Sequence, residues 1–223
     1  LRQRKLELLQ QLKKAMLQQM FPDKGENTPQ VRFQGFNDTW EQRKLGEVTS
    51  QLTKSIYPQD TPKQMYIEYS MPAYDNGKHP YHSLGSTMSS SRKVLDRPCV
   101  LINKLNVRKK RVWLVVAPAK NSVSSAEFVP LASEQIDLSF LSYLTTSSRF
   151  TSYLLNSSSG SSNSQKRVTP EVVTDYLAAL PCKAEQQQIS VFFQQLDNLI
   201  TLHTSDLDRL ARLKKFLLQT MFV

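Results

Sequence analysis

Residues 184–223 read AEQQQISVFFQQLDNLITLHTSDLDRLARLKKFLLQTMFV. Ile189, Phe192 and Phe193, Leu196, Leu199 and Ile200, His203, Leu207, Leu210, Leu213, Leu217 and Met221 recur at spacings of three and four. That is the period of an apolar stripe on one long α-helix, starting near Ala184. At about 1.5 Å per residue it spans roughly 57 Å. So long a helix does not hold alone and needs a partner along its side. The chain's opening turns repeat its closing ones. Leu6, Leu9, Leu12, Lys13, Lys14, Leu17, Gln18, Met20 and Phe21 are identical to Leu207, Leu210, Leu213, Lys214, Lys215, Leu218, Gln219, Met221 and Phe222, nine matches in sixteen at an offset of 201. An offset of that size repeats a whole unit, helix plus domain, rather than a solenoid turn. One module therefore lies between two helices of the same kind.

The first helix carries its own stripe in Leu6, Leu9, Leu12, Met16 and Met20, and Pro22 ends it. At about 20 residues it covers only about half of the last helix, so a coiled coil with another chain, or with a missing part of this one, is expected. Asp23 to Pro29 reads as a linker. Val31-Arg-Phe33, Phe36 and Trp40 read as a docking segment that seats the module's first strand, and Leu45-Gly-Glu-Val48 follows. Short strands are expected from Tyr57 to Val129, notably Met65–Tyr69, Val100–Ile102 and Val112–Val116. Ile136 to Leu155 has a helical pattern. Ser157–Ser164 is a serine-rich loop, and Thr169-Pro170 is an N-cap signal for a short helix over Val172–Leu177. Leu180-Pro-Cys182 is a last extended piece. The fold class is α+β, a globular mixed domain flanked by long helices.

The 223 residues carry 29 Lys+Arg against 19 Asp+Glu, a net charge of +10 and a pI near 9.6. Residues 1–22 hold five bases to one acid, residues 184–223 four of each, and the middle twenty to fourteen. The basic excess suggests a polyanion, with simple solubility as the plain alternative. Cys99 and Cys182 each follow a proline and read as buried reduced thiols, which fits a cytoplasmic protein. No apolar run approaches a membrane span and there is no signal peptide. The chain opens in mid-helix at Leu1, which points to a fragment.

No glycine-rich cofactor loop, Walker A loop or Asp…Glu-x-Lys triplet is present, so neither a cofactor nor catalysis is expected. No metal site is expected either, since His79, His82 and His203 have no cysteine partner at ligand spacing. What remains is a binding surface. Arg92, Lys93, Arg97, Lys104, Arg108, Lys109, Lys110 and Arg111 face a single acid, Asp96. They suit phosphate contacts, the plain alternative being a solvated hairpin. Asn76, Lys78, His79 and Tyr81 belong to a polar aromatic loop of the kind that reads base edges, or to an ordinary turn. Ser161, with Lys166 and Arg167, belongs to a small-residue loop that can approach phosphates, or to a flexible linker. The expectation is that Lys109 and Arg111 contact phosphate whatever the sequence, while Asn76 and Lys78 set preference.

Together these stretches resemble the specificity (S, HsdS) subunit of type I restriction–modification systems. The residues that carry the resemblance are Phe33…Gly35-Phe36…Trp40…Lys44-Leu-Gly-Glu-Val48, Ser158-Ser-Gly-Ser161…Gln165-Lys-Arg-Val168, Leu180-Pro181…Glu185-Gln186…Ile189…Phe193…Leu196-Asp197…Ile200, and Leu210…Leu213-Lys-Lys…Leu218-Gln219…Met221-Phe222. The resemblance implies a target recognition domain at 23–183, the end of a conserved spacer helix at 1–22 and a second conserved helix at 184–223. It implies that the helices pair as an antiparallel coiled coil, with Leu9, Leu12, Met16, Leu196, Leu199, His203, Leu207, Leu210 and Leu217 on the seam. It further implies that the domain reads half of a bipartite double-stranded DNA target, that methyltransferase (M) and restriction (R) subunits dock, and that the chain itself catalyses nothing. This chain departs from the family in having one recognition domain, not two. It reads as the second half of such a subunit or a naturally halved one, and residues from about Asp206 to Val223 are expected to pair with a two-fold mate in a homodimer. The rival reading is a coiled-coil scaffold whose basic module binds protein.

Overall fold

The computed structural model describes residues 2–23, 25–160 and 165–221. Ser161, Ser162, Ser164, Phe222 and Val223, which enter the sequence reading above, lie outside them, as do Leu1, Lys24 and the side chain of Met221. The chain opens with α1 (Arg2–Gln19), then β1 (Glu41–Lys44), α2 (Leu45–Val48), β2 (Ser50–Gln51), β3 (Ser55–Ile56), β4 (Met65–Tyr69) and α3 (Met71–Asp75). It continues through β5 (Tyr81–Leu84), β6 (Arg92–Val94), β7 (Cys99–Asn103), β8 (Val112–Val115), β9 (Ser122–Ser125) and β10 (Phe128–Ala132). Last come α4 (Leu138–Thr146), α5 (Ser148–Asn156), α6 (Pro170–Thr174), β11 (Leu177–Leu180) and α7 (Lys183–Met221). The strands form an antiparallel sheet β2-β10-β7-β8, a mixed sheet β3-β6-β9-β4-β5 with β4 parallel to β9, and the pair β1-β11.

The run at residues 99–103 explains why the domain has two cores. Every residue of β7 is buried. Successive side chains of a strand point to opposite faces. Val100 and Ile102 therefore join a large core with the helices, while Cys99 and Leu101 join a second with Trp113, Val115 and Phe128. A strand covered on both faces reads as a continuous apolar run, as it does here. Cys99 is buried and its thiol is pushed up to about 12 by burial first and by Asp96 second. Cys182, expected to be buried, is exposed. It follows Pro181 at the turn into α7, where the chain leaves the core.

Three expectations about the helices are revised. The pattern over 136–155 is two helices, because the buried Ser147 accepts a bond from Phe150 N at 3.2 Å and so caps α5 just as α4 ends. The short helix spans residues 170–174, not 172–177, and the extended piece begins at Leu177. Residues 177–180 are drawn into pairing with β1, Leu177 opposite Lys44 and Leu180 opposite Glu41, which a local pattern does not show. The first helix stops at Gln19, so that Met20 and Phe21 turn into the core.

Phe21 is the plug that seats α1. Its ring lies 5.5 Å from Phe140 on α4, 6.2 Å from Phe193 on α7 and 6.5 Å from Trp40, centre to centre. Such pairs add about 0.5–1.5 kcal/mol each beyond burial. Beyond the plug, α1 runs antiparallel to α7. Lys13 pairs with Asp197 and Arg2 with Asp206 at 3.7 Å, so increasing numbers on one helix meet decreasing numbers on the other. Of the expected seam, Leu196 is buried, and Leu9, Met16, His203 and Leu207 are partly covered. Leu12, Leu199, Leu210 and Leu217 are exposed. Cover therefore ends near Leu207, where α1 begins, and every residue from Asp208 to Thr220 is exposed.

The start of α7 is fixed by polar anchors. Glu185 is fully buried and accepts two bonds from Arg32, Nε at 2.7 Å and Nη2 at 2.8 Å. Gln186 donates to Pro181 O at 2.9 Å and accepts from Asp137 N at 2.8 Å, and the Asp137 carboxylate in turn caps α4. Gly46 of α2 faces Thr174 of α6, where an added Cβ would sit 3.2 Å from Thr174 Cβ. Removing one partner of a buried ion pair costs about 3–5 kcal/mol, whereas replacing both with apolar groups costs far less. Arg32→Ala is therefore expected to lower stability by about that amount, and Arg32→Met with Glu185→Leu by much less. Urea unfolding of the three proteins checks this, and equal losses would contradict it.

Candidate nucleic-acid interface

Three loops meet along one rim of the domain. The first follows α3. Its helix is capped by Ser70, whose hydroxyl accepts from Ala73 N at 3.4 Å. Gly77 and Lys78 both take positive φ, 83° and 58°, which bends the backbone outward at Asn76–Lys78. That conformation is ordinary for glycine but costs a lysine of order 1 kcal/mol. Lys78 N donates to Tyr74 O at 3.0 Å, and its ammonium lies 4.9 Å from the centre of the Tyr74 ring. Asn76, Lys78 and His79 are exposed, while Tyr81 is half-buried against the second core.

The second loop joins β7 to β8. Asn103 shapes its base, its Oδ1 accepting from Leu105 N at 3.2 Å and its Nδ2 donating to Leu105 O. Asn106 takes φ 54° and Lys109 N donates to Asn106 O at 3.0 Å, so the backbone turns tightly and leaves Arg108, Lys109 and Lys110 exposed. The third loop precedes α6. Asn106 N donates to Lys166 O at 2.8 Å, Val168 N to Lys104 O at 3.0 Å, and Arg167 pairs with Glu127 at 3.1 Å. Lys104, Lys166 and Arg167 are thereby brought beside the basic loop.

A latch joins the first loop to the second. Arg111 Nε donates to Asp75 Oδ1 at 2.8 Å and Nη2 to Oδ2 at 2.7 Å, while Tyr74 OH donates to Lys110 O at 3.1 Å. Arg111, expected at a phosphate, has a side chain only 9% exposed and bonded to Asp75, and so it ties the two loops together. Arg92, on β6, has its guanidinium held by Glu68 of β4 at 2.8–2.9 Å on the mixed sheet. Lys93 donates to Thr53 O at 3.2 Å and Ser55 Oγ at 3.0 Å, and no bond among the described residues ties it to the rim. Ser161 lies outside the described residues. Sequence reasoning passed over Asp75 and Glu127. Neither lies within the basic run at 92–111, and no local sequence signal pairs them with it.

Hydrogen bonds and then the charge of Arg111 hold the Asp75 carboxyl below the usual carboxylate range. Lys110, though exposed overall, is held below an ordinary lysine by partial desolvation of its ammonium against the domain and then by the charge of Lys14. Beside it a groove of about 1060 Å³ runs between the end of α1, α5 and β11, with Leu17, Gln18, Phe21, Ser148 and Tyr153 among its walls. Among the described residues no cluster of three or more His, Cys, Asp or Glu could hold a metal ion, and no helix is long and apolar enough to cross a membrane.

A family model for the type I restriction modification DNA specificity domain matches residues 37–212. The fold is similar to the HsdS subunit from Thermoanaerobacter tengcongensis, with a TM-score of 0.60, 22% identity, and cover of 81% of this chain and 48% of that one. It is also similar to a chain solved in work on the complex assembly and conformational transition of the type I R-M system, with a TM-score of 0.61, 18% identity, and cover of 96% and 51%. The chain spans about half the length of both.

Arg111→Ala is expected to cost about 1–2 kcal/mol at neutral pH, less than a buried pair because Asp75 is half-exposed. Asp75 has its pKa depressed by folding, so its contribution is present above the usual carboxylate range and lost as pH falls through the depressed value. The gap between wild type and Arg111→Ala should therefore close on acidification. Urea midpoints measured from pH 7 to pH 3 check it, and a gap that widened would count against the latch.

Proposed function

The chain belongs to the type I restriction modification DNA specificity domain family, and from that premise we propose that it reads one half of a bipartite duplex target through the three latched loops. The observation that carries this reading is the rim itself, where Arg108, Lys109 and Lys110 stand exposed between an outward-bent Asn76–Lys78 turn and the Lys104–Lys166–Arg167 corner. Asn76, Lys78, His79 and Tyr81 supply base-edge contacts, since amide and cationic side chains match the donor and acceptor pattern of the major groove. Lys104, Arg108, Lys109, Lys110, Lys166 and Arg167 contact phosphates, and Lys93 adds charge to one side. Arg111 holds the first two loops together, and Arg92 ties β6 to β4 through Glu68. The domain division at 1–22, 23–183 and 184–223 follows the same reading.

The helices serve as the spacer on which the methyltransferase subunits dock, with the restriction subunit joining them, and the chain catalyses no step itself. Support comes from the exposed end of α7. Leu210, Leu213, Phe216, Leu217 and Leu218 lie bare on a helix whose nearer half is already paired. Apolar helix surface of that extent is covered in an assembly. A two-fold mate would cover it and would present two recognition domains to an inverted repeat, because symmetry in the protein implies symmetry in the site. Light scattering across a concentration series is expected to show a dimer. A strict monomer at high concentration would remove the homodimer while leaving DNA reading untouched.

Selection of bound duplexes from random DNA, with methyltransferase subunits present, is expected to return one defined half-site. Lys109→Ala and Arg108→Ala should weaken binding to all duplexes alike and each flatten the slope of log K against log salt by about one. Asn76→Ala and Lys78→Ala should instead relax preference by about 1–3 kcal/mol per base contact. Unchanged binding in all four variants would refute the rim. Affinity that ignored salt would favour the rival protein-binding scaffold.

A further inference from the structure

In the Arg111–Asp75 latch the base is turned in and the acid is turned out. The arginine side chain is 9% exposed and the aspartate side chain 45%. Residues 70–111 hold nine Lys/Arg and two acids, Asp75 and Asp96. Asp75 thus presents a negative charge on a basic rim, at the end of α3 and directly before the exposed Asn76–Lys78 turn. Among the described residues its carboxylate bonds only to Arg111, Oδ1 accepting from Nε at 2.8 Å and Oδ2 from Nη2 at 2.7 Å. The nearby lysines do not close on it. The Lys78 ammonium lies over the Tyr74 ring, and Lys109 is felt only through its charge.

A carboxylate has about four lone-pair sites. Arg111 takes one on each oxygen, so each oxygen keeps another, and nearly half of the side chain is open to solvent. The two bonds also fix the plane of the carboxylate. Asp75 is therefore a rigid acceptor with no proton to give. Towards phosphate such a group is only a cost, since like charges repel. Towards a base it discriminates. The donors on the major-groove edge are N4 of cytosine and N6 of adenine, whereas guanine and thymine present acceptors there. We propose that Asp75 reads a base of the half-site, its carboxylate accepting from the exocyclic amino group of a cytosine or an adenine while Arg111 positions it for that contact. This rests on the DNA reading proposed above. Guanine O6 or thymine O4 in the same place would set acceptor against acceptor, which rejects the wrong base. The same charge lowers affinity for every unrelated duplex. One residue thus raises the ratio of specific to non-specific binding from both sides.

The test uses the full chain with methyltransferase subunits and a labelled duplex carrying the selected half-site. Each cytosine is replaced in turn by 2-pyrimidinone and each adenine by purine, which deletes the amino group alone. One deletion is expected to weaken wild-type binding roughly tenfold and to cost Asp75→Ala little, because its acceptor is already gone. The base at which this happens tells cytosine from adenine. A deletion read by another residue, or felt only through the weakened base pair, costs both proteins alike. Asp75→Ala should also lose affinity for the selected duplex while gaining it for unrelated ones. Loosened loops alone would weaken both. Asp75→Asn keeps the shape of the side chain and a neutral acceptor, and should show the same signs to a smaller degree. Equal penalties in wild type and Asp75→Ala at every deletion would overturn the assignment and leave the rim standing. So would loss of affinity for both kinds of duplex in Asp75→Asn. Absence of salt-dependent, sequence-selective binding in the wild-type chain would overturn both readings.

Discussion

The contact on which the rest of the structure depends is the ring of Phe21 set among Trp40, Phe140 and Phe193. These residues come from the turn after α1, the segment before β1, α4 and α7. One side chain thereby ties both long helices to the domain. Aromatic rings in a close-packed core tolerate few arrangements, so the direction in which the helices leave the domain is set where Phe21 enters. The ion pairs along the helices come after that. Arg2 with Asp206 is a surface pair worth little, Lys13 with Asp197 is a half-buried one, and both help to select the register of the helices.

The basic rim depends on a second constraint. Loops that contact a partner must be exposed, yet exposed loops lack the packing that holds a strand. Here the loops hold one another. Arg111 grips Asp75 across two of them, and backbone bonds from Asn106 and Val168 join the third. Among the described residues Arg108 and Lys109 stand exposed at the tip, so a basic run that looks uniform divides into side chains bonded within the fold and side chains left to solvent. Two arginines expected at the surface are bound internally, Arg111 to both oxygens of Asp75 as only a guanidinium can be, and Arg92 to one oxygen of Glu68 while Ser83 takes the other.

The motifs that carried the family resemblance acquire physical roles in the fold. Glu185 and Gln186 anchor the start of α7, Ile189, Phe193 and Leu196 are its core face, and Asp197 accepts from Lys13 and from Tyr143 OH. Leu45 is fully buried, and Gly46 allows α2 to approach α6. These residues are legible because each does one thing that only its type can do at that spacing. The short strands were less legible. Glu41–Lys44, Ser50–Gln51 and Ser122–Ser125 are polar and carry little strand signal, because their pairing depends on partners far away in the chain.

The sequence by itself determined the two long helices, their shared origin in a repeat, the apolar strands at the centre of the domain and the basic character of its middle. All of these are local periodicities or counts, and a period of 3.6 or 2 survives whatever the distant chain does. Only the tertiary structure decided where the cover on α7 stops, that Cys182 faces outward, that residues 177–180 join β1, and which cations remain free. Each of those depends on a second group brought close by folding, and a residue's charge or apolarity does not say what will stand opposite it.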